Sequence, residues 1–297
     1  MQGNNQQCDG GCNTPINCCM TSNPCYNGGT CLPSDNGQNR GRFDCKCPDG
    51  YTGYRCQQPI RSCRGYRDGN RVAGKYKVFD NMMTSYKVFC DFDDNSTMTW
   101  TLVQSSQRDH VVKELSSNNP LNQNNFSWNG YRLSKATMKL IQKDSTMWRA
   151  TCQYQAEQGC SDLVRGFNDK MDILRNTNSA SCFEVEYINV RGHSCTNCTV
   201  YFSQSHLCTF HFHWSKTWGS DCTFRPHLEQ HRTDLDYFGC HYNGYYGNHQ
   251  DTAHCCSKSS TATTQIWFGG RWEWETYERH FLMIASYIIK LKIVVVL

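Results

Sequence analysis

The chain lacks several of the features that mark common protein classes. It has no block of one charge: 30 Lys and Arg against 26 Asp and Glu leave a net charge of +4 over 297 residues. That spread excludes a visible nucleic-acid footprint. Catalytic signatures are missing too, with no Gly-x-Ser-x-Gly elbow, His-Glu-x-x-His helix, phosphate loop or dinucleotide fingerprint. No nucleophile–base pairing can be named, so binding without catalysis is expected. Hydrophobic residues make up only 38%, and the long apolar run Phe281 to Leu297 is interrupted by Lys290 and Lys292, whereas a bilayer span needs roughly 20 apolar residues. Three readings of that tail stay open: a transmembrane helix, against which the lysines count; a strand with both lysines on one face; or a stretch foreign to the natural protein. A lipid anchor would need small residues and a polar spacer, which Trp272-Glu273-Trp274-Glu275 does not supply. Met1 to Gln7 has neither the charged nor the apolar region of a secretory leader, so an incomplete start is expected.

Cysteine, by contrast, is abundant. The 21 cysteines are far more than a cytosolic chain of this length keeps, and they point to an oxidising, extracellular or cell-surface setting. Aromatics at 13% describe a tyrosine- and tryptophan-packed protein with room for a sizeable core plus a small module. An odd cysteine total leaves at least one thiol free, intermolecular or paired with a missing segment, so a disulfide-linked oligomer is among the expected partners.

Six cysteines fall within about forty residues: Cys19, Cys25, Cys31, Cys45, Cys47 and Cys56. So short a span cannot hold a core and must be stapled. Asn23-Pro24-Cys25-Tyr26-Asn27-Gly28-Gly29-Thr30-Cys31 places paired glycines at a tight turn, and Cys45-Lys46-Cys47-Pro48-Asp49-Gly50-Tyr51-Thr52-Gly53-Tyr54-Arg55-Cys56 closes a hairpin. Both strings resemble the EGF-like module. The resemblance implies bridges Cys19–Cys31, Cys25–Cys45 and Cys47–Cys56, with the adjacent Cys18 as an alternative to Cys19. Thr14-Pro15-Ile16-Asn17 offers no carboxylate for calcium. Thr30 fits the family's O-fucose acceptor pattern and equally fits an ordinary turn threonine.

Beyond a short polar linker at 58–62 come Cys63, Gly74-Lys75-Tyr76-Lys77-Val78-Phe79, Lys87-Val88-Phe89-Cys90-Asp91-Phe92-Asp93 and Trp100-Thr101-Leu102-Val103-Gln104. Alternation at Tyr76 and Val78, and at Tyr86 and Val88, predicts strands. This series resembles the opening of a fibrinogen C-terminal-like domain, and the resemblance implies a Cys63–Cys90 bridge. Trp148-Arg149-Ala150-Thr151-Cys152, Val185-Glu186-Tyr187-Ile188-Asn189-Val190-Arg191-Gly192 and Trp267-Phe268-Gly269-Gly270 resemble a divergent, invertebrate-type branch of that family. The expected organisation is α+β: a tail at 1–17, a small disulfide-rich EGF-like hairpin module at 18–57, the linker, a mixed α+β fibrinogen-like domain at 63–272, and the apolar tail at 273–297.

Such domains hold calcium on paired aspartates beside a pocket for acetyl groups or a protein end. Here Asp251 is the carboxylate before Cys255 and Cys256, while Asp234 and Asp236 lie earlier and out of register. These three are the candidate calcium ligands, and no other cofactor is expected. Cys240-His241-Tyr242-Asn243-Gly244-Tyr245-Tyr246 resembles the pocket strand but precedes Trp267, where the family has it following.

Cys195-Thr196-Asn197-Cys198 has redox or zinc spacing without a nearby second pair, which favours structural half-cystines. His211-Phe212-His213 sets two imidazoles on one strand face with no third ligand at fixed spacing. Cys160, Cys208, Cys222, Cys240, Cys255 and Cys256 are expected in bridges of undetermined partners. Asn95, Asn125 and Asn197 stand in Asn-x-Ser/Thr sequons. Glu273 and Glu275 among the tryptophans from Trp267 to Trp274 suggest a sugar-binding pair, though burial of the tryptophans is the commoner use. The expectation is a recognition or adhesion protein whose fibrinogen-like domain takes extracellular glycans or glycoproteins in a pocket between Asp221 and Trp272. The alternative is a disulfide-held matrix component without a pocket. Nucleic acid is not an expected partner, and membrane association would depend on the tail.

Overall fold

The computed structural model describes residues 19, 23–33, 43–66, 72–92, 98–107, 115–152, 154, 162–175, 181–190, 193–205, 208–212, 222–224 and 263–271. The small module is two short antiparallel ladders. Strand β1 (Thr30–Pro33) pairs with β2 (Phe43–Lys46), setting Cys31 opposite Cys45, and β3 (Tyr51–Thr52) pairs with β4 (Gln58–Pro59). Bridges Cys19–Cys31, Cys25–Cys45 and Cys47–Cys56 hold them together. The turn into β1 has positive φ at Asn27 (51°) and Gly28 (80°), with Gly29 N–H donating to the Tyr26 carbonyl at 2.9 Å. Asn-Gly tolerates such a left-handed pair. A Cβ on Gly29 would lie 2.8 Å from Cys56 Sγ, so this glycine makes room for the Cys47–Cys56 bridge.

The segment 58–62, expected as a polar linker, is instead built into the fold. Ile60 and Ser62 are buried, because the backbone between them feeds the next sheet. Ile60 N–H donates to the Gly50 carbonyl, and the Ile60 carbonyl accepts from Phe79 N–H, both at 2.8 Å. Ser62 caps a 3-10 turn at Cys63–Gly65, and Ser62 Oγ donates to Asp144 Oδ2. Cys63 is bridged to Cys90, and its N–H donates to Thr101 Oγ1 at 2.9 Å.

The larger body is one antiparallel ten-stranded sheet. Its strands are β5 (Gly74–Phe79), β6 (Ser85–Phe92), β7 (Met98–Gln107), β8 (Gly130–Arg132), β9 (Met147–Cys152), β10 (Leu163–Phe167), β11 (Ser181–Val190), β12 (His193–Ser205), β13 (Cys208–Phe212) and β14 (Thr263–Arg271). The order is β13-β12-β11-β10-β9-β14-β7-β6-β5, with β8 also on β7. Tyr76 faces Val88 and Val78 faces Tyr86, as the alternation predicts. Strands β7, β9 and β14 are buried along nearly their whole length, polar residues such as Thr101, Gln104, Arg149 and Gln265 included. One α-helix, α1 (Lys135–Lys143), is found among the described residues, capped by Ser134 Oγ accepting from Thr137 N–H, with Met138 and Ile141 buried. The larger body is therefore mostly β-sheet, with little of the helix that an α+β mixture implies.

Two glycines in the sheet carry tryptophans. Gly166 stands opposite Trp148, and a Cβ there would sit 2.9 Å from Trp148 Cζ2. Gly269 stands opposite Trp100, where a Cβ would fall 2.0 Å from the Thr99 carbonyl oxygen. Each indole lies in the space its partner vacates. At the module junction, Tyr66 accepts from Lys77 N–H at 3.0 Å and shares its own proton between Asp49 Oδ1 (2.7 Å) and the Lys77 carbonyl (2.5 Å). Burial and the Asp49 carboxylate push its phenol well above the usual tyrosine range.

Gly166→Val should cost about 1–3 kcal/mol by overpacking, whereas Gly74→Ala, where the nearest atom to a new Cβ is 3.7 Å away, should change thermal stability by less than about 0.5 kcal/mol; equal losses in thermal denaturation would refute the packing account. The raised Tyr66 value means the folded state keeps a proton that the unfolded chain sheds above about pH 10. Stability should be fully present below that pH and fall as pH rises beyond it. Tyr66→Phe should flatten that alkaline limb in denaturant titrations.

Candidate functional site

The centre of the sheet is organised around a buried arginine. Arg149 in β9 stands opposite Trp267 in β14. Its guanidinium lies 4.4 Å from the Trp267 ring centroid, 4.6 Å from that of Trp100 and 5.6 Å from that of Tyr154. Arg149 Nη2 donates to Asp91 Oδ2 in β6, with side-chain exposures of 10% and 12%. Asp91 in turn stands opposite Trp100. A desolvated cation over two indoles and against the Asp91 carboxylate is a strong arrangement, each cation–π contact being worth about 2 kcal/mol when buried. It is also one that tolerates no missing member.

Beside it runs a relay that fixes Trp267. Its Nε1–H donates to Thr151 Oγ1 at 2.8 Å, Thr151 donates to Gln265 Oε1 at 3.0 Å, and Tyr154 N–H donates to the same oxygen at 3.2 Å. Gln265 Nε2 donates to Thr263 Oγ1 at 2.6 Å. These hydroxyls and amides are spent on holding rings in place.

On this floor lie four half-buried rings: Phe89, Phe126, Trp128 and Tyr154. Phe89 projects from β6 on the face opposite its neighbours Val88 and Cys90. It lies 6.2 Å from Trp267, 5.0 Å edge-on from Trp128 and 5.9 Å, stacked, from Phe126. Trp128 stacks on Tyr154 at 5.9 Å, and Tyr154 meets Trp267 at 4.9 Å. Lys75, exposed and opposite Phe89 in the ladder, places Nζ 5.2 Å from the Phe126 centroid. Phe126 and Trp128 come from the loop before β8, which is tied down at several points. Leu121 and Arg132 exchange two backbone hydrogen bonds, Asn122 Nδ2 donates to the Gly130 carbonyl at 2.9 Å, and Ser105 Oγ donates to the Trp128 carbonyl at 2.5 Å. Arg132 Nη2 donates to the Ser117 carbonyl at 2.7 Å, and burial pushes its guanidinium down to about 10. A rigid aromatic shelf with few free polar groups can recognise the apolar face of a sugar ring or a hydrophobic side chain.

The other expected site residues fall at scattered places. Thr30 is exposed at the start of β1, Asn125 is exposed in the shelf loop, and Asn197 is exposed in β12 with φ of 50°. Asn95 and the candidate calcium ligands Asp234, Asp236 and Asp251 lie outside the described residues, as do Glu273, Glu275 and most of the stretch expected to form a pocket between Asp221 and Trp272. No group of three metal-ligating side chains is gathered among the described residues. Cys195 and Cys198 are bonded to each other, Cys182 to Cys222, and Cys152 is half of a further bridge. Sequence reasoning missed Phe89, Phe126, Trp128 and Tyr154 as a group. The available signal was the alternation Phe126-Ser127-Trp128, ahead of a strand and next to a sequon.

Asp91→Asn should destabilise the sheet by about 3–5 kcal/mol, since it removes the negative charge that Arg149 Nη2 donates to in a buried site. Replacing both, Asp91→Leu with Arg149→Met, should recover much of that loss in the same urea titration. A double variant as unstable as the single one would refute the pairing.

Residues 19–55 match the model of the EGF-like domain. The chain is similar to Neural-cadherin of Drosophila melanogaster, 51% identical over 47 residues, covering 16% of this chain and 1% of that protein. It is similar to Protein jagged-1b of Danio rerio, 42% identical over 48 residues, 16% of this chain and 4% of the relative. Toxin Bcs III 15.09 of Bunodosoma caissarum is 50% identical over 36 residues, which is 12% of this chain and 73% of the toxin. The chain thus spans a very small part of the first two relatives and most of the third. The EGF-like module marks an extracellular or cell-surface protein. No helix among the described residues is long and apolar enough to cross a membrane. Through residues 19–55, the chain belongs to the EGF-like domain family.

Proposed function

We propose that this is a non-catalytic recognition and adhesion protein, in which the EGF-like module buttresses a divergent fibrinogen-like domain that takes glycans or glycoproteins. The observation that carries the reading is the aromatic shelf of Phe89, Phe126, Trp128 and Tyr154, held rigid from below and half open above. Flat rings with fixed orientation lose little entropy on binding and dominate recognition surfaces. The shelf offers stacking area, while the Thr and Gln side chains beneath it are committed to Trp267 and to one another. The fibrinogen-like assignment is supported by the bridge from Cys63 to Cys90 and by the adjacency of β5, β6 and β7 in one antiparallel sheet.

Screening the secreted protein on a glycan array tests the proposal. A hit should lose affinity about tenfold or more in Trp128→Ala and in Tyr154→Ala, each worth about 1.4 kcal/mol or above, with the far-ultraviolet circular dichroism unchanged. An array without hits from folded protein would refute the glycan version. Reducible, concentration-dependent multimers would then favour the matrix component.

A further inference from the structure

The shelf has a resident candidate close at hand. Asn125 heads the sequon Asn125-Phe126-Ser127, so its glycan acceptor is chain neighbour to one shelf ring and three residues from another, Trp128. Consecutive Cα atoms are about 3.8 Å apart, which is less than the width of one pyranose ring. Asn125 is exposed, and its backbone is fixed by its N–H donating to the Asn122 carbonyl at 2.9 Å. The loop is pinned on the far side as well, where Gln107 N–H donates to the Asn129 carbonyl at 3.0 Å. Acceptor and rings therefore keep a constant relation. The side-chain amide of Asn125 makes no hydrogen bond among the described residues.

We propose that the N-linked glycan of Asn125 folds back so that its first N-acetylhexosamine lies on Phe126 and Trp128, covering the shelf and controlling what else reaches it. This rests on the reading of the shelf as a sugar-stacking surface. A short tether supplies an effective concentration in the millimolar range. A contact of about 4 kcal/mol, corresponding to a Kd near 1 mM for the free sugar, is then enough to keep the shelf occupied for half the time or more. An aromatic patch left bare would also invite self-association, which a covering sugar prevents. A free glycan ligand must displace the tethered one, so its apparent affinity falls by the occupied fraction.

The test uses the full chain secreted from a glycosylating eukaryotic host fed 13C-labelled glucosamine. Mass spectrometry of the Asn125 peptide should show the glycan. In heteronuclear NMR, its acetamido methyl and ring protons should resonate upfield of the same glycan on a proteolysed peptide, and return toward those positions in Trp128→Leu. Asn125→Gln and Ser127→Ala, both exposed changes that remove the sequon, should raise affinity for free chitobiose about twofold or more. An unmodified Asn125, or glycan signals identical to those of the free glycopeptide, would overturn the proposal. If the signals are shifted while Asn125→Gln binds no chitobiose, the covering glycan stands and the external lectin reading fails.

Discussion

The fold depends on β14 reaching the middle of the sheet. This strand, Thr263–Arg271, lies more than a hundred residues beyond both its neighbours in sequence, yet pairs with β7 along its whole length on one edge and with β9 on the other. It delivers Trp267 to the face of Arg149 and the flat backbone of Gly269 to the indole of Trp100. Without it the sheet would be two separate ladders with two raw inner edges, and the Arg149–Asp91 pair would lose one of its aromatic walls. Contacts this distant in sequence cost loop-closure entropy before they return any packing energy. Local propensity therefore cannot stabilise this body ahead of its last strand, and the disulfides that restrict the chain between β6 and β14 shorten the search.

A second constraint concerns the outer edge at β5. An exposed edge strand templates further pairing unless it is covered. Here the outward-pointing groups of Lys77 meet the Tyr66 hydroxyl, while Phe79 N–H meets the Ile60 carbonyl and the Phe79 carbonyl meets Arg61 Nη1 at 3.2 Å. Phe79 packs on Tyr51 of the EGF-like module at 4.9 Å and takes the space that a side chain at Gly50 would need. The small module thus acts as the sheet's edge protector, a mechanical role that explains why residues 58–62 are buried rather than free.

What was legible in the sequence follows the range of the interactions that encode it. The EGF-like module could be read because its cysteine spacing and its Asn27-Gly28 turn are local signals, and β5 and β6 could be read because one face of each is apolar and the other is not. The burial of the segment at 58–62 was not legible, since its partners Gly50, Phe79 and Asp144 come from other parts of the chain. The centrality of β14 was hidden for the same reason. The shelf escaped because its rings come from three unconnected places: the solvent-side alternation of β6, a loop before β8 and the end of β9. The aspartates expected as calcium ligands, Asp234, Asp236 and Asp251, lie outside the described residues.

The protein's aromatic content divides according to what lies beneath each ring. Trp100, Trp148 and Trp267 are sealed in the core, two of them over glycines and two against the Arg149 guanidinium, so their job is to fill and to neutralise. Phe89, Phe126, Trp128 and Tyr154 sit one layer further out and are only half-buried. Burying them fully would have cost little and gained about 25 cal/mol for each Å² removed from water, so leaving four adjacent rings half open is a sacrifice of stability. The layer below compensates, because the relay from Trp267 through Thr151 to Gln265 and the backbone of Tyr154 makes the shelf rigid without using its upper surface. Rigidity from beneath and openness above is the combination that a stacking surface requires and that a simple core extension would not preserve.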